Sequence, residues 1–361
     1  MGSNIRHFGT LADGRAVQAI TLRTDDLTAT ILTWGAVLQD VRLAGVSHGL
    51  TLGSDALADY LGQMRHHGSL IGPVVNRLTG AKAPIAGKVH VFEANQDGLH
   101  CLHAGASGTH LKLWDLGTAD KAHVTLSLTL PDGDGGFPGN RTVTARFTVA
   151  PPATLRMDVT VTTDAPTLIN FANHSYWNLD GGPDWSGHRV QVAADHYLPT
   201  TPDFTPTGAI LPVAGLPVDF RTSRAIAPCQ PDLDNCFCLS ATPQPLRDVL
   251  WLTGRSGVTL TLATTETSVQ LYDGRNAIRP GHAAYEGIAI EAQGWPDAPN
   301  HPGFPGIERG AADTYRQTTE WRFTRTLPRI FCLKISPPEA PPYPPAARTQ
   351  ATIAARSAGS M

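Results

Sequence analysis

Residues 124–130 (VTLSLTL) alternate apolar and polar with a period of two, which puts Val124, Leu126, Leu128 and Leu130 on one face of a strand. Residues 143–149 (VTARFTV) and 155–161 (LRMDVTV) alternate in the same way, and Pro151-Pro152 between them supplies a turn. Residues 28–41 (TATILTWGAVLQDV) are rich in β-branched side chains and break near Gly35. Residues 258–262 (VTLTL) and 268–272 (SVQLY) continue the pattern, and Trp321-Arg322-Phe323 reads as a last strand. Helical signal is confined to residues 54–61 (SDALADYL), where Ser54 is expected to be the N-cap and Leu57 and Leu61 lie four apart. No βαβ rhythm, phosphate-binding glycine loop or internal repeat appears. The pattern predicts an all-β protein, a sandwich or barrel with few short helices.

The C-terminal end has a different texture. Residues 337–345 (PPEAPPYPP) carry proline at a density no sheet ladder accepts. The chain therefore reads as one β domain over residues 1–328 and a Pro-rich, disordered tail over 329–361.

Composition changes this picture little. Of 361 residues, 41% are hydrophobic and 16% charged, the make-up of a globular domain. The net charge of −3 offers no basic field for nucleic acid or anionic lipid, so a small neutral ligand is the expected partner. The five cysteines (Cys101, Cys229, Cys236, Cys238, Cys332) are odd in number and irregular in spacing. They read as free thiols in a reducing compartment rather than disulfides or a zinc site. No signal-peptide pattern or membrane-length apolar run is present, which points to the cytoplasm.

Five segments hold more polar chemistry than a packed core needs. Asn76-Arg77 follows an apolar run and offers amide and guanidinium donors to ligand oxygens. Residues 95–114 contain His100, His103 and His110 in a glycine-punctuated loop, without metal-ligand spacing; at least two of these are expected to be structural. His174 lies among amides, hydroxyls and aromatics in residues 170–179 (NFANHSYWNL), a setting suited to a sugar ring or to a hydrogen-bonded corner. Asp234 precedes a short apolar strand and could accept from a vicinal diol. Glu291 ends the apolar run Ile288-Ala289-Ile290. A carboxylate there is costly unless paired or used, so it is the best general-base candidate.

In order along the chain, these segments resemble the aldose 1-epimerase (galactose mutarotase) family. The likeness rests on Asn76-Arg77, Leu102-His103-Ala104-Gly105, Asp132-Gly133-Asp134-Gly135-Gly136-Phe137-Pro138-Gly139, and Asn173-His174-Ser175-Tyr176-Trp177-Asn178-Leu179. Pro206-Thr207-Gly208, Asp219-Phe220-Arg221, Asp234, Glu291-Ala292-Gln293 and Pro296-Asp297-Ala298-Pro299-Asn300 extend it. It spans roughly residues 5–325.

The resemblance implies a large antiparallel β-sandwich with the sugar in an open cleft. It also implies interconversion of the α and β anomers of a free aldose through the open-chain aldehyde, without cofactor or metal, by a monomer or homodimer. It assigns Glu291 as general base at O1 and His174 as general acid at the ring oxygen. Asn76, Arg77, His103, Ser175, Tyr176, Asp234 and Gln270 become substrate-binding residues. Such a pair is expected to hold an ionised glutamate and a protonated histidine. Ala104, Pro73 and Asn235 depart from the family pattern, and which aldose is preferred stays open. A non-catalytic sugar-binding or sensing protein, or a glycoside hydrolase using Glu291 with Asp234, are the alternatives.

Overall fold

A computed structural model describes residues 4–326. Within it, strand signals become antiparallel sheets. A four-stranded sheet takes Ile5–Thr10, Ala16–Arg23, Leu27–Leu32 and Leu38–Leu43 in chain order. The segment broken near Gly35 therefore supplies two strands that meet across a turn. A nine-stranded sheet is built around His123–Leu130, Arg141–Ala150 and Thr154–Thr163. Its longest member, Thr314–Arg325, lies between Thr154–Thr163 and Val258–Thr264. A six-stranded sheet runs Tyr176–Trp177, Ile288–Gln293, Ser268–Tyr272, Asp234–Cys238, His196–Leu198, Leu211–Pro212.

One apolar core is shared by all three sheets. It includes Ile20, Leu22 and Ile31 from the first, and Val143, Phe147, Val159 and Trp321 from the second. Val269, Leu271, Ile288 and Ile290 come from the third. The period-two alternation read in the sequence is the mechanism: each strand sends every second side chain inward. This is the antiparallel β-sandwich expected from the pattern. The Pro-rich tail at 329–361 lies outside the described residues. The described cysteines, Cys101, Cys229, Cys236 and Cys238, are free. No described helix is long and apolar enough to cross a membrane.

The expected helix is shorter than its sequence signal. It covers Leu57–Leu61, with Ala56 at the N-cap position and no side-chain cap. Ser54 is held by other partners instead. Its N–H donates to the Tyr60 hydroxyl (2.8 Å), and its carbonyl accepts from Gln39 (3.1 Å). Its hydroxyl, free of the capping task, reaches the Asp59 carboxylate and accepts from the Ala56 N–H (3.0 Å). Tertiary contacts from the first sheet thus override the local start signal.

Gly68 ties this first sheet to the segment that carries His174. Its carbonyl accepts from the Leu38 N–H (2.8 Å) and from the Asn173 side chain (2.7 Å), and its N–H donates to the His174 carbonyl (3.0 Å). The backbone there has φ of +72°, and a Cβ would fall 2.2 Å from the Leu38 carbonyl oxygen. Gly68→Ala is expected to cost about 2–3 kcal/mol by overpacking and left-handed strain. A lowered urea midpoint with an unchanged slope checks this. An unchanged midpoint contradicts the tie.

Candidate active site

Strand register puts three polar side chains side by side. In Ile288–Gln293, Ile288, Ile290 and Ala292 enter the shared core, so Glu291 projects to the opposite face. Val269 and Leu271 are core, so Gln270 projects with Glu291, its direct register partner. Leu233 and Phe237 are core, which turns Asp234 to that same face of the neighbouring strand. All six residues of Ile288–Gln293 are buried, so Glu291 is a mid-strand residue rather than a strand-end one.

The opposing wall comes from loops. Ala172-Asn173 pairs with Leu70-Ile71, and the His174 N–H donates to the Ser69 carbonyl (2.9 Å). This delivers His174 Nε2 to 3.5 Å from Glu291 Oε1, with both side chains buried. Asn76 and His103 are braced against each other. The His103 N–H donates to the Asn76 carbonyl (3.0 Å), and the Asn76 N–H donates to His103 Nδ1 (3.1 Å). With Nδ1 accepting, neutral His103 carries its proton on Nε2. Asn76, His103 and Ala104 all lie at positive φ, +66°, +56° and +61°. The Ala104 departure is therefore accommodated in a left-handed turn.

The result is a polar cleft of about 470 Å³ lined by Asn76, Arg77, His103, His174, Tyr176, Asp234, Gln270 and Glu291. That volume lies in the usual range for small-molecule sites, about 300–1,000 Å³. Gln270 donates to Asp234 Oδ1 (2.6 Å), and Arg77 Nη2 lies 3.8 Å from Asp234 Oδ2. Arg77 also donates to Gln96 Oε1 (3.0 Å), and its guanidinium sits 5.3 Å from the Phe204 ring centroid.

Ser175 is the exception among the expected binding residues. It is fully buried, its hydroxyl donates to Asn173 Oδ1 (2.6 Å), and it does not line the cleft. Its place is to orient Asn173, which in turn holds Gly68. His100 is structural, as expected for that loop: it accepts from the Gly80 N–H (3.2 Å) and meets Asp203 at 2.8 Å. His110 is buried behind the cleft lining. The sequence reading missed Arg65, His66, His67, Tyr272 and Arg275, all of which line the cleft.

Five imidazoles crowd this wall. His66 stacks on His174 at 5.8 Å and meets His103 at 5.0 Å and His110 at 5.1 Å, while His67 lies 4.4 Å from Tyr176. Even so, no group of three or more His, Cys, Asp or Glu among the described residues is arranged to hold a metal ion.

Electrostatics correct one expectation. Burial, with the charges of His66 and His67 adding to it, pulls His174 well below the usual histidine range. Burial first, then the Asp234 charge, pushes Glu291 up to about 8, against the pull of Arg77. Burial therefore favours a neutral imidazole beside a protonated carboxyl, not the ion pair. Both arrangements contain one shared proton; desolvation decides where it rests.

Similarity to known proteins extends over most of the chain. The family model for aldose 1-epimerase matches residues 18–322. The galactose mutarotase of Rattus norvegicus is 30% identical over 338 residues, covering 88% of this chain and 97% of that protein. The aldose 1-epimerase of Escherichia coli (strain K12) is 29% identical, covering 86% and 96%. Among solved structures, an aldose epimerase homologue from C. elegans superposes with a TM-score of 0.79 at 27% identity, covering 86% of this chain and 99% of that one. The chain belongs to the aldose 1-epimerase family.

Proposed function

We propose that this protein is an aldose 1-epimerase, with Glu291 and His174 as its acid–base pair. The observation that carries the reading is the buried Glu291–His174 contact at 3.5 Å on the wall of a cleft rich in hydrogen-bonding groups. O1 and the ring oxygen O5 of a cyclic aldose hang on the same carbon, C1. Two groups a few ångström apart can reach both at once.

The proton balance closes within the pair. In the complex with the cyclic sugar, Glu291 as carboxylate takes the O1 proton, and protonated His174 gives its Nε2 proton to O5. The C1–O5 bond breaks and the aldehyde forms. The pair is now a carboxylic acid and a neutral imidazole, the arrangement that burial favours. The cost of forming the ion pair in the complex is thus returned at the ring-opened stage, where the pair is again neutral. Rotation about C1–C2 and reversal of both transfers give the other anomer. Each transfer is worth typically ~10²–10⁴-fold.

Asp234, Gln270, Asn76 and Arg77 read the hydroxyls, the His103 Nε2–H donates to a sugar oxygen, and Tyr176 packs on a ring face. Asp234 is held by Arg77 and Gln270, which suits a binding carboxylate and leaves a glycosidase pair with Glu291 without support. The unpaired thiols fit a cytoplasmic setting.

Glu291→Gln and His174→Asn are each expected to lower the anomerisation rate at least ~10²-fold with unchanged circular dichroism. Near wild-type polarimetric rates in folded Glu291→Gln contradict the assignment. The pH profile of kcat/KM should fall on the alkaline side near pH 8, where the pair loses its one proton. On the acid side it should fall only well below 6.5, where His174 gains a second.

Stability gives a separate reading of the same group. Glu291 is raised in the fold and ordinary when unfolded. Its stabilising share is fully present below about 4.5 and is lost as pH rises toward 8. Glu291→Gln should match wild type near pH 4.5 and exceed it at pH 8 in urea midpoint; a pH-independent difference refutes the burial argument.

A further inference from the structure

The mutarotase reading leaves one end of the cleft unused. Glu291 stands beside Gln270 and Asp234, with Arg77 acting on both carboxylates. His174 instead faces His66, His67 and Tyr176. In a cyclic hexose, the path from O1 leads through C1 to C2 and C3, and the path from O5 leads to C5 and C6. If O1 meets Glu291 and O5 meets His174, the first half of the ring lies along Asp234 and Arg77. C6 then points to the wall of Gln63, Arg65, His66 and His67.

That wall carries an unanswered positive charge. The other cleft arginines are engaged: Arg77 with Asp234 and Gln96, and Arg275 in a fork on Asp273 (3.0 and 2.7 Å). Arg65 has no hydrogen-bond or ion-pair partner for its guanidinium among the described residues. The unpaired acid of the cleft, Asp97, follows Gln96, on the side that Arg77 bonds. His66 is half-buried, and its ring has no hydrogen-bond partner among the described residues. His67 is 2% exposed, lines the cleft, and has neither ring nitrogen satisfied. Buried polar groups left unpaired are costly, and a site that keeps several together is shaped for a polar group from outside.

We infer that the Arg65–His66–His67 wall is a C6 subsite for a carboxylate, so that hexuronic acids are substrates preferred over neutral hexoses. The inference rests on the mutarotase reading, because the orientation of the ring comes from it. A single guanidinium fork with an imidazole beside it matches a planar monoanion. A phosphate dianion would call for a second unpaired cation, and the cleft offers none among the described residues. The bound carboxylate would also reverse the local field that keeps His66 neutral: burial, helped by the Arg65 charge, now holds His66 down at about 4.

The test uses the full chain and NMR exchange between anomeric protons, which reads any free aldose. Galacturonate and glucuronate are compared with galactose, glucose and glucose 6-phosphate. The expected result is a kcat/KM for the uronates about tenfold above the matching hexose, the effect of one charge-assisted hydrogen bond at a partly open site. Raising ionic strength should shrink that preference. Arg65→Gln, a change at an exposed position that the fold tolerates, should lower the uronate-to-hexose ratio about tenfold. Equal or better use of neutral hexoses by the wild type, or a ratio unmoved by Arg65→Gln, overturns the carboxylate subsite alone. A preference for the 6-phosphate over the uronate overturns the choice of carboxylate. Exchange accelerated for none of the sugars overturns the mutarotase reading and this inference with it.

Discussion

Taking a glutamate and a histidine out of water together is the constraint on which the rest of the site depends. Either group ionised alone in that position would carry a heavy desolvation cost. Together they can hold one proton and no net charge, and burial then selects the neutral arrangement. The same burial makes the pair useful. A carboxyl held up at about 8 beside an imidazole held well down reverses the order of proton affinity the two have in water, so the proton rests on the carboxyl rather than on the ring.

Keeping such a pair buried demands a rigid frame, and the frame has two unequal halves. Glu291 is delivered by a central strand whose alternate side chains, Ile288, Ile290 and Ala292, are core. Its position is set by the same burial that stabilises the fold, and Gln270 and Asp234 are aligned by register without further devices. His174 is delivered by irregular backbone. The segment is held by Ser69, Gly68 and the Asn173 side chain, so the geometry of the pair depends on hydrogen bonds between a loop and a two-residue ladder. Ser175 belongs to that scaffold. Its hydroxyl donates to Asn173 Oδ1 instead of facing the cleft.

This division explains what was legible in the sequence. Alternation marks strands, so residues 124–130, 143–149, 155–161, 258–262 and 268–272 could be placed, and for the first of them one face could be named. Glu291 was legible for the same reason, as a charge that follows directly on an apolar run. The loop wall has no period. His174 and His103 were recognisable only through resemblance, and His66 and His67 had no signal beyond being adjacent histidines. Their place in the cleft follows from Gly68, whose left-handed turn and contact with Leu38 bring a segment after the only described α-helix against His174. The helix start failed for a related reason: Gln39, 15 residues earlier, takes hold of Ser54.

The left-handed turns at Asn76 and at His103–Ala104–Gly105 show how far the fold goes to keep the wall in place. Left-handed backbone costs L-residues about 1–2 kcal/mol each, and Ala104 has no polar side chain to offset it. The two turns persist because each satisfies the other: Asn76 donates to the His103 ring and His103 donates to the Asn76 carbonyl. The arrangement also fixes chemistry. With Nδ1 of His103 occupied by a backbone donor and the ring neutral, the only proton left to present is on Nε2, so strain in the loop is converted into a defined donor. Asn76, with its Oδ1 accepting from the Arg77 N–H (2.9 Å), likewise keeps its amide NH₂ for a ligand. Backbone strain of this kind is stable only where surrounding contacts over-determine it. Here those contacts are the same hydrogen bonds that set which atoms face the cleft, so the positions that look most costly in the fold are also those that define which donors line it.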